Sequence, residues 1–234
     1  MKREIIAEIG QNHNGDVKLA IKMIRAAKKA GADVAKFQLF DARRLFSQQG
    51  NPWFEYNCKT QLSGDGARRL YDACRKYKIE FMASVFDSER IGWLEQMNVK
   101  RYKVASRSIH DKGLLHALCA TGKPLLVSLG MWRGKNFPVL RTKAEISFLY
   151  CVSNYPAVLS DIKLGRVDFN RYAGFSDHTI GISASVCALA RGARVVEKHF
   201  TLDKKMYGPD QSCSMTPVEL KALSSFRDDL KEVL

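Results

Sequence analysis

The run YAGFSDHTIGISASVCALARGARVVEKHF, residues 172–200, decides the fold. Residues 172–176 and 195–200 are short β-type segments, and residues 181–191 between them are helical. Gly192 closes that helix and supplies the left-handed residue that turns the chain into the next strand. Strand, helix and strand within about thirty residues make a βαβ unit, so the two strands run parallel. Each strand also ends in a motif carrying an imidazole: Ser176-Asp177-His178 and Glu197-Lys198-His199, the second followed by Gly208-Pro209-Asp210.

Working outward, the same alternation runs from end to end. Strands are predicted at 5–9, 34–39, 80–85, 101–104, 124–128 and 146–151 besides the two above, eight in all. Helices are predicted at 16–30 before Gly31, 63–77, 88–97 and 112–121 before Gly122, and from Thr216-Pro217-Val218-Glu219, a capping box with Pro at the first helical position. Eight βα repeats in 234 residues, close to the roughly 250 of a (β/α)₈ TIM barrel, predict one closed α/β domain over 1–234. Two connections are irregular. Residues 41–61 form a long loop carrying Trp53, Phe54 and Tyr56, and residues 131–145 leave room for at most a short helix.

Apolar residues make up 46% of the chain, enough for a core, and no run approaches the roughly 20 needed to cross a bilayer. No membrane partner is therefore expected. The start, Met1-Lys2-Arg3-Glu4-Ile5-Ile6, lacks the apolar region of a secretory signal, and the six cysteines form no CxxC pair, so a cytoplasmic protein with reduced thiols is expected. The formal charge of +14 is spread over helical pairs such as Arg43-Arg44 and Arg68-Arg69. That pattern suits a solvated basic surface that attracts small anions, and no nucleic-acid partner is expected.

In a barrel of this class, functional groups sit at the C-terminal ends of the strands. Read in order, those ends carry Glu8, Lys36 with Gln38, Ser84, Lys103 with Ser106, Ser128, Ser153 with Tyr155, Ser176 with His178, and Glu197 with His199. One polar strand end is ordinary, but the whole set points to a site. Two ammonium groups among serine hydroxyls predict a small substrate with two anionic groups, with a Schiff-base lysine as the other reading. His178 and His199, on neighbouring strands, are candidate ligands of one divalent cation. His13, in the first βα loop, either orients that loop or meets substrate.

The motifs resemble the sialic acid synthase family of phosphoenolpyruvate-condensing enzymes. The likeness rests on Ala7-Glu8-Ile9-Gly10-Gln11-Asn12-His13-Asn14-Gly15, Lys36-Phe37-Gln38, Lys103-Val104-Ala105-Ser106, Ser128-Leu129-Gly130-Met131, Asn154-Tyr155-Pro156 and the three C-terminal motifs above. It implies condensation of phosphoenolpyruvate with an aldose, N-acetylmannosamine or a related sugar, giving a 2-keto-3-deoxy sugar acid and phosphate. It also implies a divalent cofactor held by His178 and His199, Mn²⁺ first and Mg²⁺ or Co²⁺ as alternatives, with Glu8, Lys36 and Lys103 completing the catalytic set. Ser84, Ser106, Ser128 and Ser176 match positions that grip phosphoenolpyruvate together with the two lysines. Gln38, Ser153, Tyr155 and Asp210 are the remaining substrate-binding positions, Tyr155 and Asp210 facing the sugar.

There are departures from the family pattern. Ser108 stands where a Glu is usual, and a serine cannot relay a proton as a carboxylic acid does. Ser84 replaces a Thr and Ser153 an Asn. The smaller antifreeze-like domain that caps the sugar in the family would follow the last barrel helix, and the expectation is of the barrel domain alone. Family members pair as dimers, so a homodimer is a further expectation. A second reading is a catalytically impaired member that binds metal and a phosphorylated ligand as a binding or assembly partner.

Overall fold

The computed structural model describes residues 3–233. Eight parallel strands close into a barrel in sequence order: β1 Glu4–Gly10, β2 Val34–Leu39, β3 Glu80–Val85, β4 Tyr102–Val104, β5 Leu125–Ser128, β6 Ile146–Cys151, β7 Gly174–Asp177 and β8 Val195–His199. Around them lie α1 Val17–Lys29, the short α2 Ala42–Leu45 and α3 Phe54–Thr60, then α4 Gly64–Lys76, α5 Ser88–Gln96, α6 Lys112–Ala120, α7 Ser183–Ala190 and α8 Pro217–Val233. This is the expected (β/α)₈ barrel. No helix among the described residues is long and apolar enough to cross a membrane.

The helix starts follow local chemistry. Asp16, Ser63, Asp87 and Asp111 each accept a hydrogen bond from a backbone N–H of the first turn, satisfying donors the helix leaves orphaned. Thr216 and Glu219 form the predicted reciprocal box at α8, Thr216 N donating to Glu219 Oε2 at 2.8 Å. α1 buries Ala20, Met23, Ile24 and Ala27, the i, i+3, i+4, i+7 stripe of a helix packed on a sheet.

Several predicted boundaries shift by one or two residues. β7 begins at Gly174 rather than at 172, because Tyr172 N is taken up in a turn by Asp168 O at 2.9 Å. β8 ends at His199, one residue short of the prediction. The long loop after β2 contains α2 and α3. No helix follows β5, and β6 is followed by 3₁₀ turns at Leu159–Asp161 and Leu164–Arg166 instead of an α-helix. Phe137 covers part of that wall, its ring centroid 4.6 Å from Phe148 and 4.8 Å from Tyr172.

Inside the barrel the strands alternate by two residues. Ile6, Val34, Met82, Leu126, Leu149 and Ala173 form an apolar lower layer. Two positions further along, the inward residues are Glu8, Lys36, Ser84, Ser128 and Cys151. Register aligns these ends: Glu8 lies opposite both Lys36 and His199, Ser84 opposite Lys103, and Ser176 opposite Glu197.

Candidate active site

Strand period and register, together with the loops that follow β4, β6 and β7, bring eleven of the predicted residues into one cavity of about 50 Å³: Glu8, Lys36, Gln38, Ser84, Lys103, Ser106, Ser128, Tyr155, Ser176, His178 and His199. At its centre the sequence reading assigned no role to Glu197, yet this carboxylate links both amines. Its oxygens lie 3.6 Å from Lys36 Nζ and 3.7 Å from Lys103 Nζ. Lys36 Nζ also lies 2.9 Å from Glu8 Oε2, and Glu8 Oε1 accepts from Gln38 Nε2 at 2.8 Å. Lys103 donates to Ser128 Oγ at 2.7 Å, and Ser176 Oγ to Glu197 Oε1 at 2.9 Å. A signal for Glu197 was present: it shares the inward parity of His199 on β8.

These charges tune one another. Burial pushes the Glu197 carboxyl up, but Lys103 and Lys36, with the Ser176 hydroxyl, outweigh it and bring its pKa to about 2. Burial disfavours the Lys36 ammonium, yet Glu197 and Glu8 outweigh that and raise its pKa. Lys103 goes the other way: burial lowers it, Glu197 only partly opposes, and Lys36 adds to the fall. Lys103 is therefore the cation whose charge is least compensated, where an entering anion gains most.

The two imidazoles lie together, ring centroids 5.6 Å apart, with Tyr155 4.1 Å from His178 and 5.8 Å from His199. Burial lowers the His199 pKa against Asp210 and Glu8, which favours the neutral imidazole that binds cations. His199 Nδ1 is buried without a hydrogen-bond partner. His178 Nδ1 faces the Val152 carbonyl at 2.9 Å; a proton donated there leaves Nε2 with its lone pair. Burial works to lower His178 too, but Cys151 and the Val152 carbonyl outweigh it and leave it raised. Among the described residues no three His, Cys, Asp or Glu side chains converge on a cation position.

Two predicted residues stand outside the cavity wall. Asp210 flanks it, with Oδ2 3.8 Å from His199 Nδ1. Ser153 lines a neighbouring opening, with Oγ 3.7 Å from Cys151 Sγ. Asp177 and Lys198, the middle residues of their motifs, point outward instead. They form a fully buried pair at 3.3 Å, and Lys198 donates to Thr179 O at 2.6 Å.

A model of the NeuB family matches residues 23–234. The chain belongs to the NeuB family. This NeuB-family barrel is 34% identical to the N,N'-diacetyllegionaminic acid synthase of Legionella pneumophila, over 98% of the chain and 72% of that protein. It is 36% identical to an uncharacterized protein of Methanocaldococcus jannaschii, over 94% of the chain and 68% of that protein. Among solved structures it is similar to the N-acetylneuraminic acid synthetase of Leptospira borgpetersenii in complex with citrate. There the TM-score is 0.91 at 28% identity, covering all of this chain and 85% of that one. The resemblance carried by the motifs is thus shown for the family and the barrel.

His13 has a structural place in this NeuB-family barrel. Its Nδ1 accepts from Gly15 N at 3.1 Å, holding the β1–α1 loop, and its buried Nε2 has no partner. Burial drives its pKa from 6.5 to about 4. Between those values the unfolded chain binds a proton that the folded chain refuses, so stability falls as pH drops from about 6.5 towards 4, by up to about 3 kcal/mol. Thermal melts from pH 7 to 4.5 should show that loss, and His13→Asn should flatten it. An equal slope in the variant would move the effect elsewhere.

Proposed function

We propose that this chain is a synthase joining phosphoenolpyruvate to an open-chain N-acylated aldose, releasing phosphate and a 2-keto-3-deoxy sugar acid. The observation that carries the reading is the convergence of Lys36 and Lys103 on Glu197 beside the two imidazoles. Two buried ammonium groups and four serine hydroxyls suit a ligand with a carboxylate and a phosphate. Names of relatives point the same way, among them the N-acetylneuraminate-9-phosphate synthase of Homo sapiens, 34% identical over 94% of this chain and 67% of that protein.

Charge balance supports a metal. Glu8 and Glu197 already offset Lys36 and Lys103, so a multiply charged phosphoenolpyruvate brings negative charge that nothing else in the cavity neutralises. The unpartnered His199 Nδ1 and the free face of His178 fit a cation held by two imidazoles, with water and substrate oxygens completing its coordination. Such an ion, Mn²⁺ or a similar divalent metal, would polarise the aldehyde oxygen as a Lewis acid.

The chain's own residues hold and orient the partners. Lys36 and Lys103 fix phosphoenolpyruvate so that its C3 forms the new bond to the aldehyde carbon, whose oxygen takes up a proton from water. Water then adds to C2. Glu8, buried beside Lys36, takes the proton released there. The C2–O bond to phosphate breaks, phosphate leaves with the bonding electrons, and the C2 hydroxyl gives up its proton to become the ketone. Tyr155 and Asp210 flank the acceptor side. Ser108 is buried in a 3₁₀ turn and offers no carboxyl group, which is what favours the impaired-member reading.

Phosphate release with a panel of aldoses, with and without Mn²⁺, tests the reading. Aldose-dependent release that EDTA removes is expected. His199→Ala should lower the metal-stimulated rate by about 10²-fold or more with its melting temperature nearly kept. No release with any aldose leaves the binding-partner reading, and full activity in the variant removes His199 from metal binding.

A further inference from the structure

A second cavity of about 800 Å³ opens beside the reacting one, between the ends of β4, β5 and β6. The two share Cys151 in their walls. Gly130 forms part of the partition: a Cβ there would lie 2.3 Å from Ser153 Oγ and 3.1 Å from Ser106 Oγ. One glycine thus separates the opening from the serines expected to grip phosphate, and any larger residue would close the partition onto them.

This vestibule exists because the β5–β6 connection runs without a helix, yet the connection is built. Trp132 Nε1 donates to Asn136 O at 2.7 Å, and its ring lies where a Cβ on Gly134 would be, 2.6 Å away. The ring stacks on His110 at 5.6 Å, and His110 Nε2 lies 3.1 Å from Met131 O. Arg133, Ser153 and Asn154 supply the other polar groups, and no carboxylate lines the cavity. The arginine ion pairs of the described residues involve Arg44, Arg90, Arg101 and Arg227; Arg133 is exposed and takes part in none of them.

The contrast in charge gives the opening a direction. In the reacting cavity Glu8 and Glu197 offset the charge of Lys36 and Lys103, whereas beyond Gly130 a phosphate dianion meets a guanidinium and an amide and no opposing carboxylate. Arg presents a planar fork that matches phosphate oxygens. We propose that this vestibule is the release site for the inorganic phosphate product, received by Arg133 and Asn154; the assignment rests on the synthase reading above.

Phosphate inhibition of the full chain tests it, with phosphoenolpyruvate varied, in wild type, Arg133→Ala and Arg133→Lys. Wild type should show mixed inhibition, because phosphate also binds the phosphoenolpyruvate-loaded enzyme. In Arg133→Ala the intercept component should weaken about tenfold, with partial recovery in Arg133→Lys and a KM for phosphoenolpyruvate within about twofold. Purely competitive inhibition, or an intercept component that Arg133→Ala leaves intact, overturns the assignment. A phosphate ester on the acceptor is the other source of the same anion. If Arg133→Ala depresses kcat/KM only for phosphorylated aldoses and spares phosphate inhibition, the vestibule is an acceptor subsite and the release role falls. Calorimetric titration of inorganic phosphate without substrates separates the two proposals. Arg133-dependent binding without turnover sinks the synthase reading and leaves an anion site with no release role, whereas turnover with phosphate binding that Arg133→Ala leaves unchanged sinks this proposal alone.

Discussion

Lys103→Met should lower kcat/KM for phosphoenolpyruvate by about 10³-fold or more. The side chain is almost fully buried, its Nζ bonded to Ser128 and close to Glu197, so no solvent cation can substitute for it. Methionine keeps the length and much of the packing while removing the charge. It also leaves Glu197 with a single compensating lysine, and breaking a buried pair from one side costs on the order of 3–5 kcal/mol. A drop in melting temperature is therefore expected, and it must be separated from the loss of activity. The double variant Lys103→Met/Glu197→Gln does so. With both charges gone, much of the stability should return, whereas phosphate release should stay absent. Recovery of turnover in the double variant would show that Lys103 only balances Glu197 and does not hold the substrate.

Gly174→Ala should destabilise the barrel by about 3 kcal/mol or more, and it reads the fold rather than the site. A Cβ at Gly174 would fall 1.8 Å from the Val195 carbonyl oxygen and 2.9 Å from its Cα. Those atoms belong to the β7–β8 ladder, where Gly174 lies opposite Val195, so neither strand can step aside without breaking the closure of the sheet. Urea denaturation of the variant should show a midpoint well below that of wild type. Gly165→Ala is the control, since its Cβ would enter open space. Equal midpoints for Gly174→Ala and wild type would mean that the two strands are not this close.

Much of the site was legible because each βα repeat carries its own signals. Glu8, Lys36, Ser84 and Ser128 follow from ending a strand segment and counting inward by twos. Tyr155 and Asp210 stand on loops where no periodicity holds, and only the family resemblance gave them a role, facing the sugar. The structure brings Tyr155 over His178 and sets Asp210 beside His199. Ser153 was expected against substrate, and in the structure it lines the neighbouring opening beside Gly130. Its path depends on how the chain leaves β6 without a helix to guide it.

By itself the sequence determined eight strands, their inward parity, the helix caps and the family, because alternation, capping and motif order are local properties of the chain. Tertiary structure alone decided that Glu197 bridges two lysines, that Asp177 and Lys198 neutralise each other behind the barrel wall, and that the missing helices leave a cationic vestibule at the mouth. These depend on strand register and on closure, which bring residues far apart in sequence to within a few ångströms, where a low-dielectric interior makes each charge answer to its neighbours.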